Sequence, residues 1–251
     1  MKVFYYTLIS LILFAGCRED QSEATLQDHI DNNPMLTPFN ELVACAAGGQ
    51  PDFLEDVAFP LNIFLYPELE AHTFKYYETS TEDADPLDLS LYNVIETDRE
   101  ALFNGFLLRY PRPQPDRDVW ARVSFINGDT LWYSKAIKLK TNDQPTDFSP
   151  DFCQVDLSTP LEPTFTWTES EFGENTIFFH VISDSEDNAF SGTYTEEKRF
   201  QYYNLDNVVF NVTRTGQPQP LELGSNYSFT LMGVSSDNWV NFIAQKSFIS
   251  Q

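Results

Sequence analysis

Positively charged side chains are scarce in this sequence. Its 251 residues include 15 Lys and Arg against 38 Asp and Glu, which gives a formal net charge of −23 at pH 7. A chain with this charge repels phosphate backbones and anionic lipid head groups. We therefore expect no nucleic-acid partner and no electrostatic docking to a membrane surface.

Recognisable catalytic and cofactor motifs are also missing. The sequence has no G-x-S-x-G, H-E-x-x-H, Walker or G-x-G-x-x-G pattern. It has three histidines: we place His29 in a tether and His72 in a turn, and we expect His180 to face outward from a strand. These absences predict no cofactor and no enzymatic activity. A carboxylate pair of the glycoside-hydrolase kind stays open, because its separation is set in space.

Long hydrophobic runs are absent after residue 14. The run from Val3 to Phe14 follows a short charged start, and its twelve residues are too few for a bilayer that needs about 20. This pattern is typical of a secretory signal peptide over residues 1–16. The letters LFAGC at its end resemble the lipobox of bacterial lipoproteins. That resemblance implies cleavage before Cys17 and acylation of this residue, with two or more chains giving a stable anchor. The alternative is a plain signal peptide with an incidental cysteine.

An acidic stretch with few large apolar side chains follows the anchor. Residues 17–36 lack the hydrophobic content that offsets the entropy of folding, so we predict a flexible tether. About 20 residues of coil hold a folded part roughly 25 Å from the lipid. Arg18, Glu19 and Asp20 resemble the short charged signals of surface-exposed lipoproteins in Bacteroidota. The alternatives are a merely solvated linker and a lipoprotein that faces the periplasm.

The second half of the chain has the clearer strand pattern. Seven short runs with period-2 alternation between residues 151 and 251 predict a β-sandwich. The alternation assigns these side chains to its core: Phe165, Trp167, Val208, Phe210, Val212, Tyr227, Phe229 and Leu231. The segments PTFTW, NTIFFHVIS and LELGSNYSFTLMGV resemble the strands of a fibronectin type III domain. Leu223, Gly224 and Tyr227 match its tyrosine corner, in which the phenol hydroxyl bonds back to the backbone.

The first half predicts a second, more divergent Ig-like sandwich over residues 37–141. It opens with TPFNELVACAAGG, for which we predict a short helix capped by Thr37 and ended by Gly48. Further on, Asn127 and Gly128 predict a hairpin turn. Residues 142–150, rich in Asp, Pro and Thr, are typical of a linker. The predicted fold is all-β, with two tandem Ig-like sandwiches, and this layout resembles uncharacterised tandem-domain lipoproteins of Bacteroidota.

Three groups of residues are candidate sites. With Cys17 acylated, Cys45 and Cys153 remain as an even pair, for which we predict a disulfide that fixes the two sandwiches together; the alternative is two separate thiols. Acidic loops at 82–88 and at Asp184, Glu186 and Asp187 are weak candidates for Ca²⁺, with solvated turns as the alternative. The predicted recognition loop carries Asp237, Asn238, Trp239 and Asn241 at a sandwich tip.

Two functions of different classes follow. The first is a non-enzymatic surface lipoprotein, attached by its lipid anchor, whose sandwiches bind a protein or a glycan or act in an envelope complex. The second is a hydrolase or accessory subunit that acts on polysaccharide. A carboxylate-lined cleft would favour the second, and exposed aromatic side chains would favour the first.

Overall fold

The computed structural model describes residues 24–48, 61–113, 115–140, 144–171 and 173–251. The predicted signal peptide, Cys17 and the predicted export signal at Arg18–Asp20 lie outside the described residues. In the described part no helix is long and apolar enough to cross a membrane. The only α-helix of that part, α1, spans Leu26–Asp31.

The first sandwich contains two sheets. One sheet has the strand order β1-β9-β8-β4-β5, with β10 also paired to β8, and the other has the order β2-β3-β7-β6. The strands span β1 Thr37–Leu42, β2 Ala44–Gly48, β3 Leu61–Leu65, β4 His72–Thr79, β5 Tyr92–Val94, β6 Glu100–Leu102, β7 Leu107–Arg112, β8 Val119–Asn127, β9 Thr130–Ser134 and β10 Ile137–Leu139.

The second sandwich repeats this division. Its large sheet has the order β11-β19-β18-β14-β15-β17 and its small sheet the order β12-β13-β16. The strands span β11 Asp147–Phe148, β12 Cys153–Asp156, β13 Thr164–Trp167, β14 Ile177–Asp184, β15 Ala189–Thr195, β16 Arg199–Gln201, β17 Val208–Asn211, β18 Asn226–Val234 and β19 Val240–Ile249.

Both sandwiches use one strand arrangement. In each, the first strand runs parallel to a late strand of the large sheet, β1 beside β9 and β11 beside β19. The second strand then crosses to the small sheet and pairs antiparallel with the third, β2 with β3 and β12 with β13. Strands that divide in this way between two facing sheets form an Ig-like sandwich. The predicted all-β, Ig-like fold class is confirmed.

Local signals in the sequence form as predicted at two places. The β8–β9 hairpin pairs Asn127 with Thr130, and Gly128 takes a φ of 60° in the turn between them. In the second sandwich the hydroxyl of Tyr227 accepts a hydrogen bond from the Glu222 backbone N–H at 2.9 Å. This bond is the predicted tyrosine corner, which ties the chain before β18 to the edge of the core.

The predicted helix in residues 37–48 is wrong. This segment forms β1 and β2, and β2 pairs with β3 from Ala44 to Gly48. The reason is tertiary: the small side chains of β2 let it close the small sheet beneath the core, where Ala46 is fully buried. Such pairing overrides a weak local preference for helix.

The tether prediction is wrong for residues 24–36. Thr25 and Asp28 form a capping box at the start of α1, which is followed by the strand β1. The stretch has few large apolar side chains, but one of them, Leu26, is fully buried against Tyr77 and Tyr92 of the first sandwich. His29 of α1 is also buried, and its Nδ1 lies 2.7 Å from the Tyr77 hydroxyl. The helix is therefore ordered by two buried side chains together with its cap.

The end of the predicted linker, residues 142–150, is wrong. Residues 141–143 lie outside the described part, but Asp147 and Phe148 form β11 and pair with Phe242 and Ile243. The second sandwich therefore begins before residue 151. A proline-containing and polar composition predicted a loop here, and the strand gains its pairing from a distant part of the chain.

Candidate functional site

The two sandwiches share a hydrophobic interface, called here the junction. The central strand β14 in the large sheet of the second sandwich is buried on both faces. Phe178, His180 and Ile182 point into its own core, while Phe179 and Val181 point the other way. This outer face packs on Ala47, Phe64, Phe103, Phe106 and Leu107 of the first sandwich. A strand buried on both faces has a nearly continuous apolar sequence, as IFFHVI does.

The predicted recognition loop lies inside the junction. Trp239 is fully buried in the core of the first sandwich. Its indole Nε1 donates to the Gln144 carbonyl at 3.0 Å, and the Ala46 N–H donates to the Asn238 carbonyl at 3.0 Å. The expectation of a ligand-binding tip is therefore corrected: the loop joins the two sandwiches instead of facing solvent.

The other members of this loop have internal partners as well. Asp237 forms an ion pair of 2.6 Å with Lys140, and Asn238 donates from Nδ2 to the Ala136 carbonyl at 2.9 Å. Asn241 is fully buried and accepts from Gln144 Nε2 at 2.6 Å. The structure thus brings the four candidate residues together, but they connect the two sandwiches. Their polar groups already form hydrogen bonds or an ion pair within the protein.

A second connection runs in the opposite direction across the junction. Phe106 of the first sandwich packs on Gly192 of β15, where a Cβ would lie 2.2 Å from the phenyl Cζ. Arg214 of the second sandwich lies 5.9 Å from the Phe106 ring centroid and donates to the Gly105 carbonyl at 2.6 Å. Trp239 thus enters the core of the first sandwich, and Phe106 packs against the outer face of the second.

The acidic loop at 184–188 also belongs to the junction. The Asp184 carboxylate accepts from the backbone N–H groups of Glu186 and Asn188 at 2.8 and 2.9 Å. Burial alone would raise the pKa of Asp184, but these bonds and one from the Asn188 amide hold it below its usual value. Asn104 of the first sandwich donates to the Glu186 carbonyl at 2.9 Å.

The weak Ca²⁺ prediction for this loop is not supported by that geometry. Three N–H donors of its own loop already bind the Asp184 carboxylate, two at Oδ1 and one at Oδ2. In the ranges that the structure describes, no group of three or more His, Cys, Asp or Glu side chains is placed to hold a metal ion.

The disulfide prediction is wrong, since Cys45 and Cys153 are free thiols. Cys45 packs at the junction, whereas Cys153 is fully buried in the core of the second sandwich. Burial raises the pKa of each thiol to about 12. Packing and hydrogen bonds hold the two sandwiches together at the junction. The disulfide that the even cysteine count suggested is not part of this interface.

We expect both thiols to resist alkylation in the folded protein. Raising a thiol pKa from 9.0 to about 12 lowers the thiolate fraction near pH 8 about a thousandfold. The measurement uses the full chain with Cys17→Ser, treated with a maleimide before and after unfolding, without reductant. Both cysteines should react only after unfolding. Labelling that requires a reductant would reveal a disulfide and contradict the structure.

An aromatic groove lies along the junction. Its cavity of about 320 Å³ is lined by the side chains of both sandwiches, and its aromatic members are Phe39, Tyr66, Phe125, Trp132 and Phe210. Phe39 and Phe210 are 42% and 48% exposed. Phe210 was predicted to be a core residue, but β17 is an edge strand, so its side chain stands over the junction.

The aromatic side chains of this groove support one another. The Phe39 ring meets Trp132 edge-on with the centroids 4.7 Å apart, and Trp132 stacks on Phe125 at 6.1 Å. Carboxylates of Glu41 and Glu68 lie at the rim, and Lys135 pairs with Glu41 at 3.4 Å. The groove is thus a fixed apolar surface with an acidic edge.

A separate cavity, called here the junction pocket, opens beside the groove. Its volume is about 430 Å³, and its lining includes Phe103, Asn104, Phe106, Phe190, Arg214 and Gln219. The Tyr66 ring, which lines the groove, and the Phe106 ring, which lines the pocket, have their centroids 5.4 Å apart. Burial raises the pKa of Tyr66, and the nearby Arg214 partly opposes this shift.

Comparisons with known proteins do not assign a family. No protein-family model matches the chain, and no curated protein matches it. A similar solved structure is the crystal structure of chicken CNTN1 FN1–FN3 domains. It has 13% sequence identity, the alignment covers 86% of this chain and 68% of that chain, and the TM-score is 0.28. A superposition this loose supports no functional argument, so the Ig-like assignment rests on the strand order described above.

Sequence reasoning missed the residues of the groove. Phe39 was placed on a helix, and Phe210 was placed in a core. One usable signal was present: Val208 to Phe210 are three consecutive apolar residues, which an alternating strand with one buried face does not need.

Proposed function

We propose that the protein is a membrane-anchored, non-enzymatic binding protein that holds an extended partner, a protein segment or a glycan, along its domain junction. The observation that carries this proposal is the aromatic groove, in which exposed Phe39 and Phe210 come from different sandwiches. Rigid aromatic side chains provide large contact areas at low cost in conformational entropy, and they dominate the energetics of recognition sites.

The attachment part of the proposal rests on the sequence. The LFAGC motif supports lipidation at Cys17, and the Arg18–Asp20 signal supports display on the outer-membrane surface. Since α1 is docked on the first sandwich, the tether prediction stays open only for residues 17–23.

The groove is tested by substituting a residue whose loss leaves the fold intact. The full chain, purified in mild detergent, is applied to a glycan array and to a display library of unstructured peptides. We expect Phe210→Ser to weaken binding of the selected probes about tenfold or more. Val209→Ser is the matched control, because Val209 precedes Phe210 on the same strand and is 52% exposed. It should leave binding within about twofold.

Two outcomes would overturn the binding proposal. One is that no probe in either collection binds, and the other is that Phe210→Ser and Val209→Ser have equal effects. Attachment is tested independently on intact cells by labelled palmitate and external protease. Cys17→Ser should abolish the label, and the wild-type protein should be digested while a periplasmic control survives. Survival of the protein would instead place it on the periplasmic face.

A further inference from the structure

We infer that the junction pocket is a binding subsite for a neutral saccharide unit. This inference rests on the proposed function and names one class of ligand for it, a glycan that extends from the pocket toward the aromatic groove. The pocket volume of about 430 Å³ lies within the range of about 300–1,000 Å³ that small-molecule sites occupy.

The lining of the pocket combines two kinds of surface. Phe103, Phe106 and Phe190 supply aromatic carbon, while Asn104, Arg214 and Gln219 supply amide and guanidinium groups. A pyranose ring has the same division, since its axial C–H groups form an apolar face and its hydroxyls surround the edge. Aromatic side chains pack against the C–H face, and side chains with fixed donors and acceptors form hydrogen bonds with the hydroxyls.

The polar groups at the rim are held in place before any ligand binds. Asn104 donates from Nδ2 to the Glu186 carbonyl and to Asn188 Oδ1, both at 2.9 Å, which leaves its own Oδ1 as an acceptor. Arg214 donates from Nη2 to the Gly105 carbonyl at 2.6 Å, which leaves other guanidinium N–H groups as donors. Such preorganisation lowers the entropic cost of binding.

The backbone beside the pocket is strained. Phe103 and Asn104 have φ angles of 49° and 50°, and Gly105 has a φ of 81°. A bulky residue with a positive φ is a genuine outlier. Strain of this kind persists where the surrounding structure enforces it, and it concentrates at ligand sites. Here it turns the Phe103 and Phe106 rings and the Asn104 amide toward one cavity.

The charges favour a neutral ligand that is held without being cleaved. The net charge of −23 disfavours an anionic sugar. Asp184 is the only carboxylate among the described lining residues, and its oxygens accept bonds from its own loop. Glycoside hydrolysis needs a pair of carboxylates on either side of the bond. The pocket therefore has the chemistry to retain a saccharide and lacks the pair that would hydrolyse it.

The test uses a matched pair of glutamines. Gln219 lines the pocket, whereas Gln217 lies two residues earlier in the same loop and outside the lining. The full chain is titrated with neutral oligosaccharides built from glucose, galactose, mannose or xylose, from one unit upward. We expect Gln219→Ala to weaken binding of the best ligand about tenfold and Gln217→Ala to leave it unchanged. Short ligands should be insensitive to Phe210→Ser, and longer ones should be sensitive.

The outcomes separate this inference from the function on which it rests. If neutral oligosaccharides bind and only Phe210→Ser weakens them, the groove binds glycan and the pocket inference is overturned. If only peptides bind, the proposed function survives and the saccharide assignment fails. If neither class binds, both fail. Equal melting temperatures of the two glutamine variants show that a loss of binding reflects the pocket and not the fold.

Discussion

Replacement of Trp239 by Ala should lower the free energy of unfolding by about 3–5 kcal/mol, the usual range for removing a large aromatic side chain from a core. Trp239 is fully buried. It directly precedes β19 of the second sandwich, but its side chain packs in the core of the first sandwich. The substitution also leaves the Gln144 carbonyl without its indole donor. The loss should therefore combine a cavity with an unsatisfied polar group.

The same substitution should separate the unfolding of the two sandwiches. In the wild type we expect one cooperative transition, because the junction cluster draws side chains from both halves. With Trp239→Ala, chemical denaturation followed by tyrosine and tryptophan fluorescence should show two transitions. Leu223→Ala is the control, since Leu223 lies in the same sandwich and is 76% exposed. A single transition and a loss below about 1 kcal/mol would contradict the structural role of Trp239.

Acidification should destabilise the protein through His180. This side chain is fully buried, with Phe200 at 4.2 Å between ring centroids, and burial lowers its pKa from 6.5 to about 3. Its Nδ1 bonds to the Thr193 hydroxyl at 2.8 Å, while Nε2 is buried and unpaired. Protonation in the folded state would bury a cation among aromatic rings with a single polar partner.

The sign follows from proton binding. Below about pH 6.5 the unfolded chain takes up a proton at His180, and the folded chain does so only near pH 3. The stabilising contribution of the neutral imidazole is therefore complete above pH 6.5 and decreases by about 1.4 kcal/mol per pH unit as the pH falls. Between pH 6.5 and 4.5 the expected loss is about 2–3 kcal/mol.

A double substitution isolates this contribution. His180→Phe with Thr193→Val removes both members of the hydrogen bond and keeps an apolar core of similar volume. The free energy of unfolding of the wild type and of the double variant is measured in urea at pH 7 and at pH 4.5. Because the carboxylates titrate in both proteins, the difference between their two losses isolates His180. The wild type should lose about 2–3 kcal/mol more than the double variant. Equal losses would show that His180 is already protonated, or accessible, in the folded state.

The strands of the second sandwich were largely predictable from sequence. Alternation in PTFTW and NYSFTL placed Phe165, Trp167 and Phe229 in the core, where they are buried. The orientation of His180 was not predictable in the same way. Its neighbours on both sides are apolar, because one face of β14 packs on the first sandwich. Alternation of apolar and polar residues shows which side chains face the core only when one face of the strand is buried. It cannot do so when both faces are buried.

The candidate site depended on tertiary structure that local patterns do not contain. Trp239 sits in a polar turn, SSDNWVN, and such a turn predicts an exposed loop. Its burial follows from β2, whose small residues leave space beneath the sheet, and β2 itself was predicted as a helix. Phe39 and Phe210 lie far apart in the chain and meet only once the sandwiches dock. The groove therefore could not be anticipated before the interface was known.

The insertion of Trp239 into the first sandwich restricts how this protein can evolve. Many Ig-like modules can be duplicated, reordered or recombined singly, because each has a complete surface of its own. Here a second sandwich copied alone would expose the Trp239 indole, and a first sandwich copied alone would keep a hole where that indole belongs. A gene fusion or domain exchange that keeps the product soluble must therefore transfer both sandwiches together and in this order.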